Sequence, residues 1–212
     1  MHRFGITIAL MIAISAHCAA AETAKPHDRG GPNSVAVFAG WATDTDFTQI
    51  IYAPWTVNFG DIRLIGAAYS RRLGTIAELF GDPGIGSLAN DLTIETEVGA
   101  SGRFGDAAWG ELWVSLYLRY DGFPWRDMIY TTLALNTGWS ILNQTSDFER
   151  KRSEGNTSLV LHDFSPELTF ADPRNKDLEL VLRLQHRSGI FGLVDGVEEG
   201  STYISTGVRL RF

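Results

Sequence analysis

After residue 33, apolar and polar residues alternate with a period of two through most of the chain, the pattern of strands with one apolar face. Eight segments carry it: Ser34–Thr43, Asp61–Arg72, Asp91–Ser101, Trp109–Tyr120, Met128–Leu142, Ser158–Ala171, Asp177–Ser188 and Thr202–Phe212. In the third, Leu92, Ile94 and Val98 oppose Glu95 and Glu97. In the fourth, Leu112, Val114, Leu116 and Leu118 oppose Glu111, Ser115, Tyr117 and Arg119. In the seventh, Leu178, Leu180, Leu182 and Leu184 share one face, and Glu179, Arg183, Gln185 and Arg187 the other. Each segment is near the ~10 residues that a tilted membrane strand needs, and eight is the smallest common strand number of an outer-membrane barrel.

Strand pattern alone fits a soluble sandwich with its apolar faces inside, or a membrane barrel with them outside. The rest of the chain favours the barrel. Arg3, the apolar run Phe4–Ser15 and Ala19-Ala20-Ala21 have the order of a secretory signal peptide, expected over 1–21. The one cysteine, Cys18, lies within it, so the mature chain has no disulfide framework and no thiolate metal site. Residues 22–33, with Pro and Gly among polar residues, read as a flexible lead-in, and 34–212 as the barrel. Trp41, Trp55, Trp109, Trp125 and Trp139 fall near strand ends, and Phe212 closes the chain. The expected fold is all-β, an eight-stranded antiparallel transmembrane β-barrel in a bacterial outer membrane. Glu95, Glu97, Glu111, Arg119, Glu179 and Arg183 would then form an interior ionic network.

With both chain ends in the periplasm, the turns Phe123–Asp127 and Asp172–Lys176 fall inside, and the loops 44–60, 143–157 and 189–201 fall outside. Residues 73–90 fit less well, being long for an inner turn, and a short helix is expected over Thr75–Phe80. Net charge is −7, from 18 Lys+Arg against 25 Asp+Glu, which argues against a nucleic-acid partner. An eight-stranded interior is filled by side chains, which disfavours a pore.

Continuing the apolar parity of the seventh segment places His186 and Ser188 on its lipid face. A serine hydroxyl becomes a nucleophile beside a base, and the base needs an orienting acid. Glu198 and Glu199 lead into the last strand, which pairs with the seventh. Parity with Ile204, Val208 and Leu210 puts Glu198 on the same face, with Glu199 as the alternative acid. Arg187 falls inside and reads as structural; His162, alone in mid-strand, reads as structural too. Arg150-Lys151-Arg152 is either a basic patch for lipid phosphates or an ordinary solvated loop.

His186-Arg187-Ser188 followed by Asp195-Gly196-Val197-Glu198 and a final strand resembles the H-x-S…D-G-x-E signature of the lipid A 3-O-deacylase family. Glu95-Thr96-Glu97, Phe104-Gly105, Phe123-Pro124-Trp125 and the run His186–Gly192 resemble the branch described as acyloxyacyl hydrolases. The resemblance implies an eight-stranded outer-membrane barrel hydrolysing an ester-linked acyl chain of lipopolysaccharide, with His186 as base, Ser188 as nucleophile and Glu198 as orienting acid. It implies no cofactor and no metal. Two positions depart from the family. The spacing from His186 to Glu198 is shorter than usual, and Gly189 stands where the family has an oxyanion-stabilising Asn. The backbone amides of Gly189, Ile190 and Gly192 are the expected substitutes. The alternative is a structural or adhesive barrel that has lost catalysis.

Overall fold

The computed structural model describes residues 28–81, 83–105, 108–153 and 155–212, so the expected leader and the first part of the lead-in lie outside the described residues. Among the described residues, nine strands form one antiparallel sheet: β1 (Asn33–Thr43), β2 (Phe59–Thr75), β3 (Leu92–Phe104), β4 (Ala108–Tyr120), β5 (Tyr130–Leu142), β6 (Val160–Asp163), β7 (Glu167–Asp172), β8 (Asn175–Ser188) and β9 (Thr202–Arg211). Apart from β6 and β7, each pairs with its sequence neighbour, and β1 pairs with β9 over ten residues, so the sheet closes on itself. Both β6 and β7 lie between β5 and β8, and the register is the same on either side of the gap between them. They are the two halves of the expected sixth strand. The break falls at Ser165-Pro166: proline has no N–H for the ladder, and the Ser165 amide donates to the Asn136 side chain instead. The ring is therefore eight-stranded.

The sidedness is that of a membrane barrel. Along β4, Leu112, Val114, Leu116 and Leu118 face outward and are exposed, while Glu111, Trp113, Ser115, Tyr117 and Arg119 are buried inside. All six expected interior charges are buried, joined by Arg103, Glu149, Glu167, Arg187, Arg209 and Arg211. Toward the middle and the turn end, Glu95, Glu97, Glu167 and Glu179 interlock with Arg119, Arg183, Arg209 and Arg211 at 2.6–3.2 Å. At the loop end, Glu111 and Glu149 face Arg103 and Arg187. Carboxylates and guanidiniums are equal in number in each group, which is how so many charges can be buried together. An apolar outside over a charged, filled inside is stable only in a lipid surround. Trp41, Trp125 and Trp139 stand exposed near strand ends, as expected, but Trp109 is 6% exposed and points inward with Glu111, so it belongs to the interior.

The long turn 76–91 holds two short helices, α2 (Ile76–Phe80) and α3 (Leu88–Asp91). The expected helix is α2, with Thr75 as its cap: Thr75 accepts from the Glu78 amide and Glu78 bonds back to the Thr75 amide. The described part of the expected flexible lead-in is tied down, since Arg29 is buried against Asp121 at 2.7 Å and the amides of Asn33 and Phe212 bond each other's carbonyls. At the opposite end, the loops carry α1 (Phe47–Tyr52) and α4 (Asp147–Arg152).

Candidate active site

β8 carries its outward parity to its end. Leu178, Leu180 and Leu182 are exposed, and Leu184, His186 and Ser188 follow on the same face, half-buried. The covering comes from the first loop: Phe47 of α1 lies with its ring 4.7 Å from the His186 imidazole and 5.5 Å from Phe164. His186 is thus at the loop end of the barrel wall, on the lipid side, under an aromatic lid.

The side chain bonded to the His186 ring is Thr202, not Glu198. His186 is paired directly with Thr202 across β8 and β9, and its Nδ1 is hydrogen-bonded to Thr202 Oγ1 at 2.8 Å. With Thr202 accepting from Nδ1–H, Nε2 carries the lone pair, which is the tautomer a general base requires. Glu198 is exposed and makes no hydrogen bond to the ring among the described residues. Glu199, the alternative acid, turns away and bonds Arg152 of α4 at 3.0 Å, while its carbonyl accepts from Ser153. Parity counted back from Ile204 fails above Thr202 because the strand ends there. Beyond it the chain folds inward through Val197 and Gly200, both buried.

The loop after Ser188 explains Gly189. A Cβ at this position would lie 1.8 Å from the Val197 carbonyl oxygen, so no side chain, asparagine included, fits there. The Ser188 hydroxyl accepts weakly from the Ile190 amide at 3.4 Å. The Gly189 amide has no hydrogen-bond partner among the described residues, whereas the Gly192 amide is spent on the Val197 carbonyl at 3.0 Å. Of the three amides, Gly189 is unbonded among the described residues, Ile190 points at the Ser188 hydroxyl and Gly192 is occupied. Ile190 and Phe191 both have positive φ, 52° and 56°, and Phe191 is 95% exposed. Backbone held in that region by two non-glycine residues stores strain, which concentrates at functional loops.

His186 and Ser188 are not hydrogen-bonded to each other, and productive contact needs a rotation of the serine hydroxyl or the ring. Arg187, between them, points inward and is clamped by both oxygens of Glu149 at 2.7 and 2.8 Å, so the motif is anchored from inside the barrel. Arg150 and Lys151 remain on the loop surface, while Arg152 is committed to Asp46, Glu199 and the Thr43 carbonyl.

These features sit on a known architecture. In fold, the chain is similar to the outer membrane enzyme PagL. The superposition covers 84% of this chain and 99% of PagL with a TM-score of 0.56, at 12% sequence identity. Neisserial surface protein A (NspA) matches 86% of this chain and 99% of its own length with a TM-score of 0.48 and 11% identity. No protein-family model and no curated protein sequence matches the chain. The PagL likeness shows the eight-stranded barrel.

Sequence reasoning missed Thr202 and Phe47. Aligning the last two strands as a hairpin would have set Thr202 opposite His186. Nothing in the local pattern signals that Phe47, from a distant loop, folds onto that wall.

Proposed function

We propose that the protein is an outer-membrane esterase acting on lipid A, cleaving an ester-linked acyl chain of lipopolysaccharide, the 3-O chain by resemblance. The observation that carries this reading is His186 with Nδ1 held by Thr202 and Nε2 free, two residues from Ser188 on the lipid face. A soluble ester would have no reason to meet a nucleophile there. A lipid of the outer leaflet meets it by lateral diffusion. Ser188 attacks the acyl carbonyl while His186 Nε2 takes its proton; the sugar alkoxide leaves with that proton, and water then releases the acyl-enzyme. The Gly189 and Ile190 amides stabilise the oxyanion. No step calls on a cofactor or metal.

The structural or adhesive barrel is favoured by one observation, that no carboxylate among the described residues bonds His186. Lipid A mass spectrometry separates the two readings. Cells expressing the wild type should lose one hydroxyacyl mass, and cells expressing Ser188→Ala should not. Unchanged lipid A in cells whose outer membrane contains folded wild type would remove the lipid A assignment.

A further inference from the structure

His162 looked isolated in the sequence, but the strand pairing sets it directly opposite Ser188 in the β6–β8 ladder. It is half-buried on the same outer face. Directly opposed residues of an antiparallel pair have Cβ atoms about 4.5–5.5 Å apart, nearer than the two-residue step from Ser188 to His186 along one strand. The imidazole is held in place: Nε2 shares a hydrogen bond with Thr137 Oγ1 at 2.9 Å, and the ring stands edge-on to Trp139 at 6.4 Å and 88°. Nδ1 has no hydrogen-bond partner among the described residues.

The site around Ser188 is short of donors. Val197 excludes any side chain at 189, and the Gly192 amide is occupied. Only a few backbone amides are left to meet a charge that develops as the serine attacks.

We infer that His162, as a neutral imidazole, donates a hydrogen bond from Nδ1–H to the oxyanion formed at Ser188. This inference rests on the esterase reading above. When the Thr137 hydroxyl donates to Nε2, the ring proton resides on Nδ1, the nitrogen without a partner. In the attack, the Ser188 Oγ–carbon bond forms, the carbonyl electron pair moves onto oxygen, and the serine proton goes to His186 Nε2. His162 keeps its proton throughout and only donates. On collapse, the ester C–O bond breaks and the leaving alkoxide takes the proton from His186. Two histidines thus divide the work, one as base and one as electrophile, each hydrogen-bonded by a threonine at the ring nitrogen turned away from the reaction.

The test uses the full mature chain folded in detergent micelles with lipid A, scoring released fatty acid by mass spectrometry and barrel folding by heat-modifiable gel migration. His162→Leu is expected to lower kcat by about 10²–10³-fold with KM changed by less than about twofold, the loss seen when one oxyanion donor is removed. His162→Gln, which keeps an N–H donor, should recover at least about tenfold of that loss. Thr137→Val keeps the ring but releases its tautomer, and should lower kcat about tenfold, the worth of one hydrogen bond. A leucine variant as active as wild type, or glutamine and leucine variants equally impaired, overturns the assignment. So does an unchanged kcat in Thr137→Val, even where the leucine variant does not fold. Folded wild type that releases no fatty acid overturns the esterase reading and the role of His162 with it. An active wild type with an unaffected leucine variant removes only the latter.

Discussion

One hydroxyl decides how His186 behaves. Thr202 is 1% exposed, and its contact with Nδ1 is a neutral hydrogen bond in place of a charge-assisted one. On the proposed esterase reading it accepts from Nδ1–H and does little to stabilise the imidazolium formed on proton transfer. Thr202→Val should therefore lower kcat of lipid A hydrolysis about tenfold, the equivalent of one hydrogen bond, while Glu198→Gln should leave it within about twofold of wild type. Steady-state kinetics of the two variants side by side would check this; a collapse in Glu198→Gln would return the acid to that carboxylate. Gly189→Ala drives a methyl into the Val197 carbonyl, so the loop must shift, and a cost of about 1–3 kcal/mol together with loss of turnover is expected by urea titration and assay. At this scale the sequence was half legible. Period-two parity placed His186 and Ser188 on the lipid face, because parity holds wherever a strand is regular. It misplaced Glu198 because the chain above Thr202 is no strand.

Helix α4 works as a keystone for the two strand ends that bear the site. Ser146 caps it by accepting from the Glu149 amide at 3.1 Å, and Glu149 then enters the barrel mouth, fully buried. There it meets Arg187 from between His186 and Ser188, Ser201 at 2.6 Å from beside Thr202, and Arg103 at 3.4 Å. From the same helix, Arg152 holds Glu199. Removing the carboxylate leaves the Arg103 and Arg187 guanidiniums short of a partner in a closed interior, which typically costs about 3–5 kcal/mol. Glu149→Leu is expected to unfold at lower urea by that amount in lipid vesicles and to lose esterase activity even below its transition. Nothing in the local pattern signalled this. Glu149 sits in a charged run, Asp147–Arg152, of the kind that is normally solvated, and only the closure of the barrel makes its mouth a place where a loop carboxylate is wanted.

For the whole molecule, the decisive property is inversion: apolar outside, ionic inside. It was readable because alternation over eight segments with charges on one parity can be buried in two ways only. The exposed apolar faces and the buried charges decide between them. The interior partners were less readable. Arg209 and Arg211 share parity with the network, yet which carboxylate each meets depends on shear around the ring, which no single strand encodes. The inversion makes a directional prediction. Val114 is mid-strand in β4 and 54% exposed, so it faces the middle of the bilayer. Val114→Arg should cost about 2–4 kcal/mol, whereas Trp41→Arg, near the loop end of β1, should cost no more than about 1 kcal/mol because the guanidinium reaches the headgroups. Folding equilibria in phospholipid vesicles would give both numbers. Equal, small costs at the two positions would mean that the exposed leucine and valine bands do not face hydrocarbon. The lipid-facing placement of Ser188, on which the esterase reading depends, would then fail with them.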